Sequence, residues 1–238
     1  MQFFYHPDLS HPVFELLPDE AKHCVKALRK RVGDQIYVTD GEGRLATAQI
    51  MDATPNHCAV QLLNIEEAYA LRPHQFHLAI APTKNADRIE WLVEKSIEIG
   101  IEQISFITCD HSERVKVDLE RLHRIAISAI KQSNTCLIPF MQTIDFKSFI
   151  SNNNGTEGHF IAWCDDSNTQ EFAQQELCGK DIVLLIGPEG DFSPEEVAMA
   201  EQNGYKSVKL GSRRLRTETA GLYGVCVYAG RQVTGIRC

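Results

Sequence analysis

At 238 residues, with 24 basic side chains against 32 acidic ones, the chain carries a formal charge of −8 and can bury a real core as one large domain or two smaller ones. No apolar run approaches the ~18 residues of a membrane span, and the first thirteen residues lack a basic-then-apolar leader pattern, so a cytoplasmic protein with no membrane role is expected. Eight cysteines without a Cys-x-x-Cys pair point to reduced thiols, and Cys109-x-His111 has nothing nearby to complete the roughly four ligands of a structural metal site, so no metal is expected.

Pro18-Asp19-Glu20 opens a predicted helix with Ala21, Val25 and Leu28 on its apolar side. Lys22, Lys26, Arg29, Lys30 and Arg31 lie within ten residues with no acid among them, and most of that run is expected to be helical. The acidic balance argues mildly against a nucleic-acid partner, but local pattern matters more, and such a strip suits RNA phosphates. An ordinary solvated helix face is the plainer alternative. Arg72 extends the basic surface. Short β-type runs at 36–39, 45–51 and 58–63 are separated by Asp40-Gly41-Glu42-Gly43 and Asp52-Ala53-Thr54-Pro55-Asn56, the pattern of a small β-barrel. Arg72-Pro73 reads as a linker, so the expected domains are 1–71 and 74–238.

Beyond the linker, strands alternate with helices. Strands are predicted at 76–81, 103–108, 159–163 and 181–186, with a last short one at 208–210. Helices are predicted at 86–99, stopped by Gly100, and at 119–131, with Leu122, Ile125, Ala126, Ala129 and Ile130 inward. Residues 151–155 read as a polar loop. Such alternation means an α/β fold with a parallel sheet.

The run at 181–186 ends in Gly187-Pro188-Glu189-Gly190-Asp191-Phe192. Ser193 is a predicted N-cap, Pro194 suits the first helical position, Glu196 completes a capping box, and Gly204 is a plausible stop. The loop therefore lies at the carboxyl end of a strand, where open α/β sheets bind ligands. A phosphate loop wants bare backbone N–H groups and a lysine. This loop has no lysine and carries Glu189 and Asp191, so a neutral or cationic ligand fits better; a capped turn with no ligand is the alternative. A second loop places Lys209, Arg213, Arg214 and Arg216 within eight positions, bracketed by Leu210 and Leu215. Thr217 is expected to cap a last helix in which Ala220, Gly221 and Gly224 make a small-residue face. Glycine costs roughly 1 kcal/mol relative to alanine inside a helix, so the face predicts close approach of another backbone or a ligand.

Gly187-Pro188-Glu189-Gly190, followed by Leu210-Gly211-Ser212-Arg213-Arg214-Leu215-Arg216-Thr217-Glu218-Thr219-Ala220, resembles the bacterial ribosomal RNA methyltransferases that modify uridine N3 in small-subunit (16S) RNA. These belong to the SPOUT class of trefoil-knotted enzymes that use S-adenosyl-L-methionine. The likeness extends to Lys84–Gly100, with Lys95, Glu98 and Gly100 in place, to Ser112-Glu113-Arg114, and to His23–Asp34. Two departures stand out. The family often has a second glycine after Gly-Pro-Glu-Gly, where this chain has Asp191. It also often has Glu-Gln-x-Gly-Arg where this chain reads Lys131-Gln132-Ser133-Asn134-Thr135, keeping only the glutamine.

The resemblance implies a SPOUT-type knotted parallel-sheet domain, with the knot at about 184–221, preceded by a PUA-like β-barrel. It implies cofactor contacts at Ile186, Gly187, Pro188, Glu189, Gly190, Leu210, Gly211, Leu215, Arg216 and Thr217. RNA contacts are expected at Lys22, Lys26, Arg29, Lys30, Arg31, Arg114, Gln132, Arg213 and Arg214. The partners implied are 16S rRNA, within a small-subunit particle, and a second copy of the chain in a homodimer. Methylation at N3 needs a proton removed and negative charge on the base stabilised. Arg216 is the candidate for charge stabilisation and Glu218 for proton acceptance or orientation, although an acid in a first helical turn is also explained by the helix dipole. Because N3 lies on the pairing edge, the uridine must be unpaired or flipped out. The alternatives are a SPOUT methyltransferase acting on another RNA or a ribose hydroxyl, and a non-catalytic RNA-binding adaptor.

Overall fold

A computed structural model describes residues 2–54, 57–67, 69, 72–113, 116–153, 158–164 and 169–233. The chain packs as two compact units, Met1–Leu71 with Ala126–Ile138, and Arg72–Ile125 with Pro139–Cys238.

In the first unit β1 (Phe3–Tyr5), β2 (Val13–Glu15), β3 (Gln35–Thr39), β4 (Leu45–Thr54) and β5 (His57–Glu66) form a sheet ordered β1-β3-β4-β5-β2. The β1–β3 pair is parallel and the others are antiparallel. Phe4, Leu9, Ile36, Val38, Ile50 and Val60 are central to its core. The three-residue strands β1 and β2 are too short to show a period, and sequence reasoning missed them.

The basic run is less helical than expected. α1 (Pro18–Lys22) passes into a π turn at His23–Ala27, closed by the Leu28 N–H on the His23 carbonyl at 3.0 Å. Arg29 then adopts a left-handed φ of 55°. The Lys30 N–H bonds the Cys24 carbonyl and the Arg31 N–H bonds Asp34 Oδ2, so Arg29, Lys30 and Arg31 lie on the turn leading to β3.

The segment Ala126–Ile138 packs in this first unit, whereas the sequence reading placed everything after residue 74 in the second domain. Lys131 pairs with Glu20, and Gly43 and Ile138 donate to the carbonyls of Cys136 and Gly41. At Gly41 a Cβ would come within 2.6 Å of Ile138, so the absent side chain makes room for this segment.

The second unit is an all-parallel six-stranded sheet in the order β11-β9-β10-β6-β7-β8. Its strands are β6 (Phe76–Ile80), β7 (Gln103–Thr108), β8 (Phe140–Asp145), β9 (His159–Ala162), β10 (Ile182–Ile186) and β11 (Lys206–Val208). The helices are α2 (Ala86–Ile99), α3 (Leu119–Ser133), whose C-terminal half belongs to the first unit, α4 (Phe146–Asn152), α5 (Pro194–Gln202) and α6 (Thr217–Val233). β6 and β10 are buried along their whole length, as apolar runs in a two-faced parallel sheet must be.

α2 stops at Gly100 with φ 105°. At α5 both halves of the capping box form between Ser193 and Glu196. β8 and α4 were missed. β8 is an edge strand with no clean alternation, and α4 is a seven-residue helix capped by Asp145. β11 begins two residues earlier than expected, and α6 starts at Thr217 itself.

The small face of α6 packs on the chain's own sheet. A Cβ at Gly224 would come within 2.4 Å of Leu184 on β10, and one at Gly221 within 2.9 Å of Ile80 on β6. These glycines let the helix lie close on its own sheet. Among the described residues no helix is long and apolar enough to cross a membrane.

Candidate active site

Strand order reverses between β6 and β10, and ligand crevices of open parallel sheets open at the carboxyl ends of strands beside such a reversal. A cavity of about 940 Å³ lies there. It is walled by Ile186, Gly187, Pro188, Glu189 and Asp191 after β10, by residues 209–217 after β11, and by Trp163 and Cys164 after β9. Arg88 of α2 and Ala220 of α6 complete it. Every cofactor residue expected from sequence lines the cavity except Gly190, whose missing side chain faces His111, with a Cβ 3.2 Å from the His111 Cβ.

The first loop is tied down at almost every residue. The Asp191 N–H closes the turn on the Pro188 carbonyl at 2.9 Å. Asp191 sits at φ 65°, where glycine is easiest and aspartate is among the few tolerated alternatives. Its Oδ1 accepts from the Phe192 N–H at 2.8 Å, its Oδ2 from the Cys164 N–H at 3.1 Å, and its carbonyl bonds the His111 ring at 3.0 Å. Glu189 accepts from the Lys84 N–H. Phe192 is buried, and a Cβ at Gly187 would press on its ring at 3.1 Å. Glu196 accepts from the N–H groups of both Asp110 and Ser193, joining the start of α5 to the segment after β7.

Among the described residues, the backbone hydrogen bonds that anchor the second loop lie at its start. The Lys209 N–H bonds the Gln170 carbonyl at 2.8 Å, and the Phe172 N–H bonds the Lys209 carbonyl at 2.9 Å. Gly211 has φ 114° with open space around it. Arg213, Arg214 and Arg216 are exposed, and none has an ion-pair partner among the described residues. Carboxylates on one wall and available guanidinium groups on the other suit a small zwitterion better than a polyphosphate. Burial, then the Asp191 carboxylate, pushes the Cys164 thiol above its ordinary pKa, which argues against a thiolate nucleophile there.

Glu218 is not on the cavity wall. It is 6% exposed, its Oε1 lies 3.8 Å from Nε of Arg88, and its Oε2 has no hydrogen-bond partner among the described residues. Arg88 was missed by sequence reasoning, although a cation in the first turn of a helix, where the dipole disfavours it, is a legible signal. Trp163, Cys164 and Asp191 were also missed as wall residues.

Of the RNA candidates, Lys22, Lys26, Arg29 and Arg31 are exposed and Lys30 is half-buried, with its ammonium 3.4 Å from the Gln35 carbonyl. Gln132 is exposed near the end of α3. Arg114 lies outside the described residues. Asn134, at the glycine position of the altered segment, has φ 56°. Both family glycines that this chain lacks thus fall on left-handed residues, held here by the two side chains that tolerate that conformation best.

A parallel α/β unit with a glycine-marked cleft at its switch point, joined to a β unit bearing a basic strip, has the make-up of a nucleic-acid-modifying enzyme. The chain belongs to the RNA methyltransferase domain family, which matches residues 71–228, and the RNA methyltransferase PUA domain matches residues 16–63. It is similar to a solved "probable rRNA-methyltransferase" of Porphyromonas gingivalis, with 38% identity, 98% of each chain covered and a TM-score of 0.91. A Legionella pneumophila protein solved with the bound cofactor SAM is 27% identical over 96% of each chain, with a TM-score of 0.81. The Ribosomal RNA small subunit methyltransferase E of Buchnera aphidicola is 27% identical, covering 94% of this chain and 90% of its own.

Proposed function

We propose that this RNA methyltransferase transfers a methyl group from S-adenosyl-L-methionine to N3 of a specific uridine in 16S ribosomal RNA. The observation that carries the proposal is the cleft itself: two glycine-marked loops lacking phosphate-binding chemistry, in a chain similar along most of its length to small-subunit methyltransferases. The wall fits this cofactor. Ile186, Leu210 and Leu215 offer apolar faces to an adenine, and the backbone at Gly211 has open space for ribose or base. Glu189 and Asp191 suit its cationic groups and the arginines its carboxylate. When bound, the cofactor supplies an electrophilic methyl group on a sulfonium.

In this reading Ile186–Glu189, Leu210, Gly211 and Leu215–Thr217 hold the cofactor, and Arg216 stabilises charge on the target base. Gly190 supports the wall through His111. Lys22, Lys26, Arg29, Lys30, Arg31, Gln132, Arg213 and Arg214 are the RNA contacts, on a cytoplasmic small-subunit particle. A trefoil knot at about 184–221 and a homodimer complete the reading. The dimer rests on the family resemblance, since the small face of α6 is occupied by the chain's own sheet.

The test is calorimetry with S-adenosylhomocysteine, together with mapping of the methylated nucleotide after reaction with small-subunit particles from a strain lacking the enzyme. Micromolar affinity and one new N3-methyluridine are expected. A methyl group on a ribose, or on another class of RNA, would overturn the assignment, and sedimentation as a fully active monomer would overturn the dimer.

A further inference from the structure

The carboxylate of Glu218 is buried beside the cleft without lining it. An ionisable group 6% exposed, with one oxygen unpartnered among the described residues, is costly unless something uses it. Its side chain does not reach the cavity, so it is badly placed to take a proton from a base bound there. Its near neighbour Arg88 does line the cavity. α2 and α6 pack against each other, so the first turns of the two helices bring the pair together. Asn85 fixes the start of α2 by accepting from the Asp87 N–H at 3.0 Å, which leaves Arg88 one residue further along the same turn. A cation there opposes the helix dipole, and the 3.8 Å separation from Glu218 is longer than a charged hydrogen bond. Half of the carboxylate and most of the guanidinium thus have bonding capacity to spare.

We propose that Arg88 is a catalytic residue that donates to the target uracil, and that Glu218 is the positioning residue that aims it. The inference deepens the uridine-N3 reading and rests on it. As N3 gives up its proton to water, the N–H bond breaks and its electron pair stays on the ring, spread onto O2 and O4. Arg88 places one edge of its guanidinium on Glu218, closing the gap and satisfying Oε2, and presents its remaining N–H groups to one of those oxygens. A guanidinium only donates. It therefore suits uracil, with carbonyl oxygens on both sides of N3, and opposes cytosine, which turns an amino donor toward it on one side.

The experiment uses the full-length protein and small-subunit particles, with Arg88→Ala, Arg88→Lys, Glu218→Gln and the double variant Arg88→Ala/Glu218→Gln. Wild-type methylation at N3 of one uridine is measured first, and its absence overturns both the reading and this inference. Given turnover, Arg88→Ala is expected to lower kcat 10²–10³-fold, the usual loss for one donor to a developing oxyanion. Its affinity for S-adenosylhomocysteine and its melting temperature are expected to stay near wild type. Free guanidinium ion at millimolar concentration is expected to restore part of that activity. Arg88→Lys, a point charge with different reach, is expected to recover little. Glu218→Gln is expected to lower kcat less than Arg88→Ala. The double variant should be no slower than Arg88→Ala but should lose the guanidinium rescue, because the positioning carboxylate is gone. Arg88→Ala with more than a third of wild-type kcat, a parallel loss of cofactor affinity, or additive losses in the double variant would each overturn the assignment.

Discussion

The two loops that wall the cleft are built in opposite ways. In residues 187–192 the turn is closed by backbone, Asp191 is bonded on three sides, and the following helix is locked by Ser193 and Glu196. In residues 210–216 the chain is held at Lys209 and then projects exposed arginines without ion-pair partners among the described residues. A wall that must match one small molecule gains from being set in advance, because less ordering entropy is lost on binding. A wall left with unpaired side chains keeps the freedom to settle on what it meets, at a larger cost in ordering. The contrast teaches that two walls of one cleft can differ more in the density of their hydrogen bonds than in anything net charge records.

The contrast can be broken most severely at Glu196. Glu196→Ala leaves the buried N–H of Ser193 without its partner and strips the one on Asp110, and it removes half of a capping box. A loss of about 3 kcal/mol is expected, read by urea denaturation, with cofactor binding falling in parallel.

Acid tests whether the set wall depends on the core beneath it. His77 is buried on β6 against Ser105, and burial, helped by the His159 charge, lowers its pKa to about 4. The folded state thus favours the neutral ring, and the unfolded chain binds the proton first. Stability from this group is fully present above about pH 6.5 and drains as pH falls toward 4, by up to about 3 kcal/mol. Denaturation midpoints measured from pH 7 to pH 4.5 should fall less steeply in His77→Gln.

A narrower change is Asp191→Ala, which places an ordinary residue at φ 65° and deletes two hydrogen bonds, for a cost of about 2 kcal/mol. Asp191→Gly should cost less, since it relieves the backbone while losing the same bonds. Equal melting temperatures for the two would show that the left-handed turn carries no strain. The smallest expected effect on stability comes from the other wall. Arg213→Ala with Arg214→Ala should move stability by less than about 0.5 kcal/mol, yet weaken RNA binding and reduce its salt slope by about one unit per lost phosphate contact. A matching fall in melting temperature would mean that the second loop is tied to the fold as firmly as the first.

What the sequence determined by itself was written among neighbours. The capping box at Ser193 and Glu196, the stop at Gly100 and the buried run of β10 each depend on residues a few positions apart, so a local pattern suffices. The two loops were legible as loops at strand ends for the same reason, whereas the individual wall residues Ile186–Glu189, Leu210, Gly211 and Leu215–Thr217 came from the family resemblance.

Tertiary structure alone decided which way each face points. Gly221 and Gly224 announce a close neighbour, but only the packing of α6 shows that it is Ile80 and Leu184 of the same chain. Gly190 announces a bare backbone, but the space belongs to His111. The return of Ala126–Ile138 to the first unit, and the meeting of Arg88 with Glu218 from opposite ends of the second, arise from contacts between distant segments, for which a linear pattern has no signature. Short-range hydrogen bonding chooses the elements, whereas burial of apolar surface chooses their neighbours, and burial is a property of the whole fold.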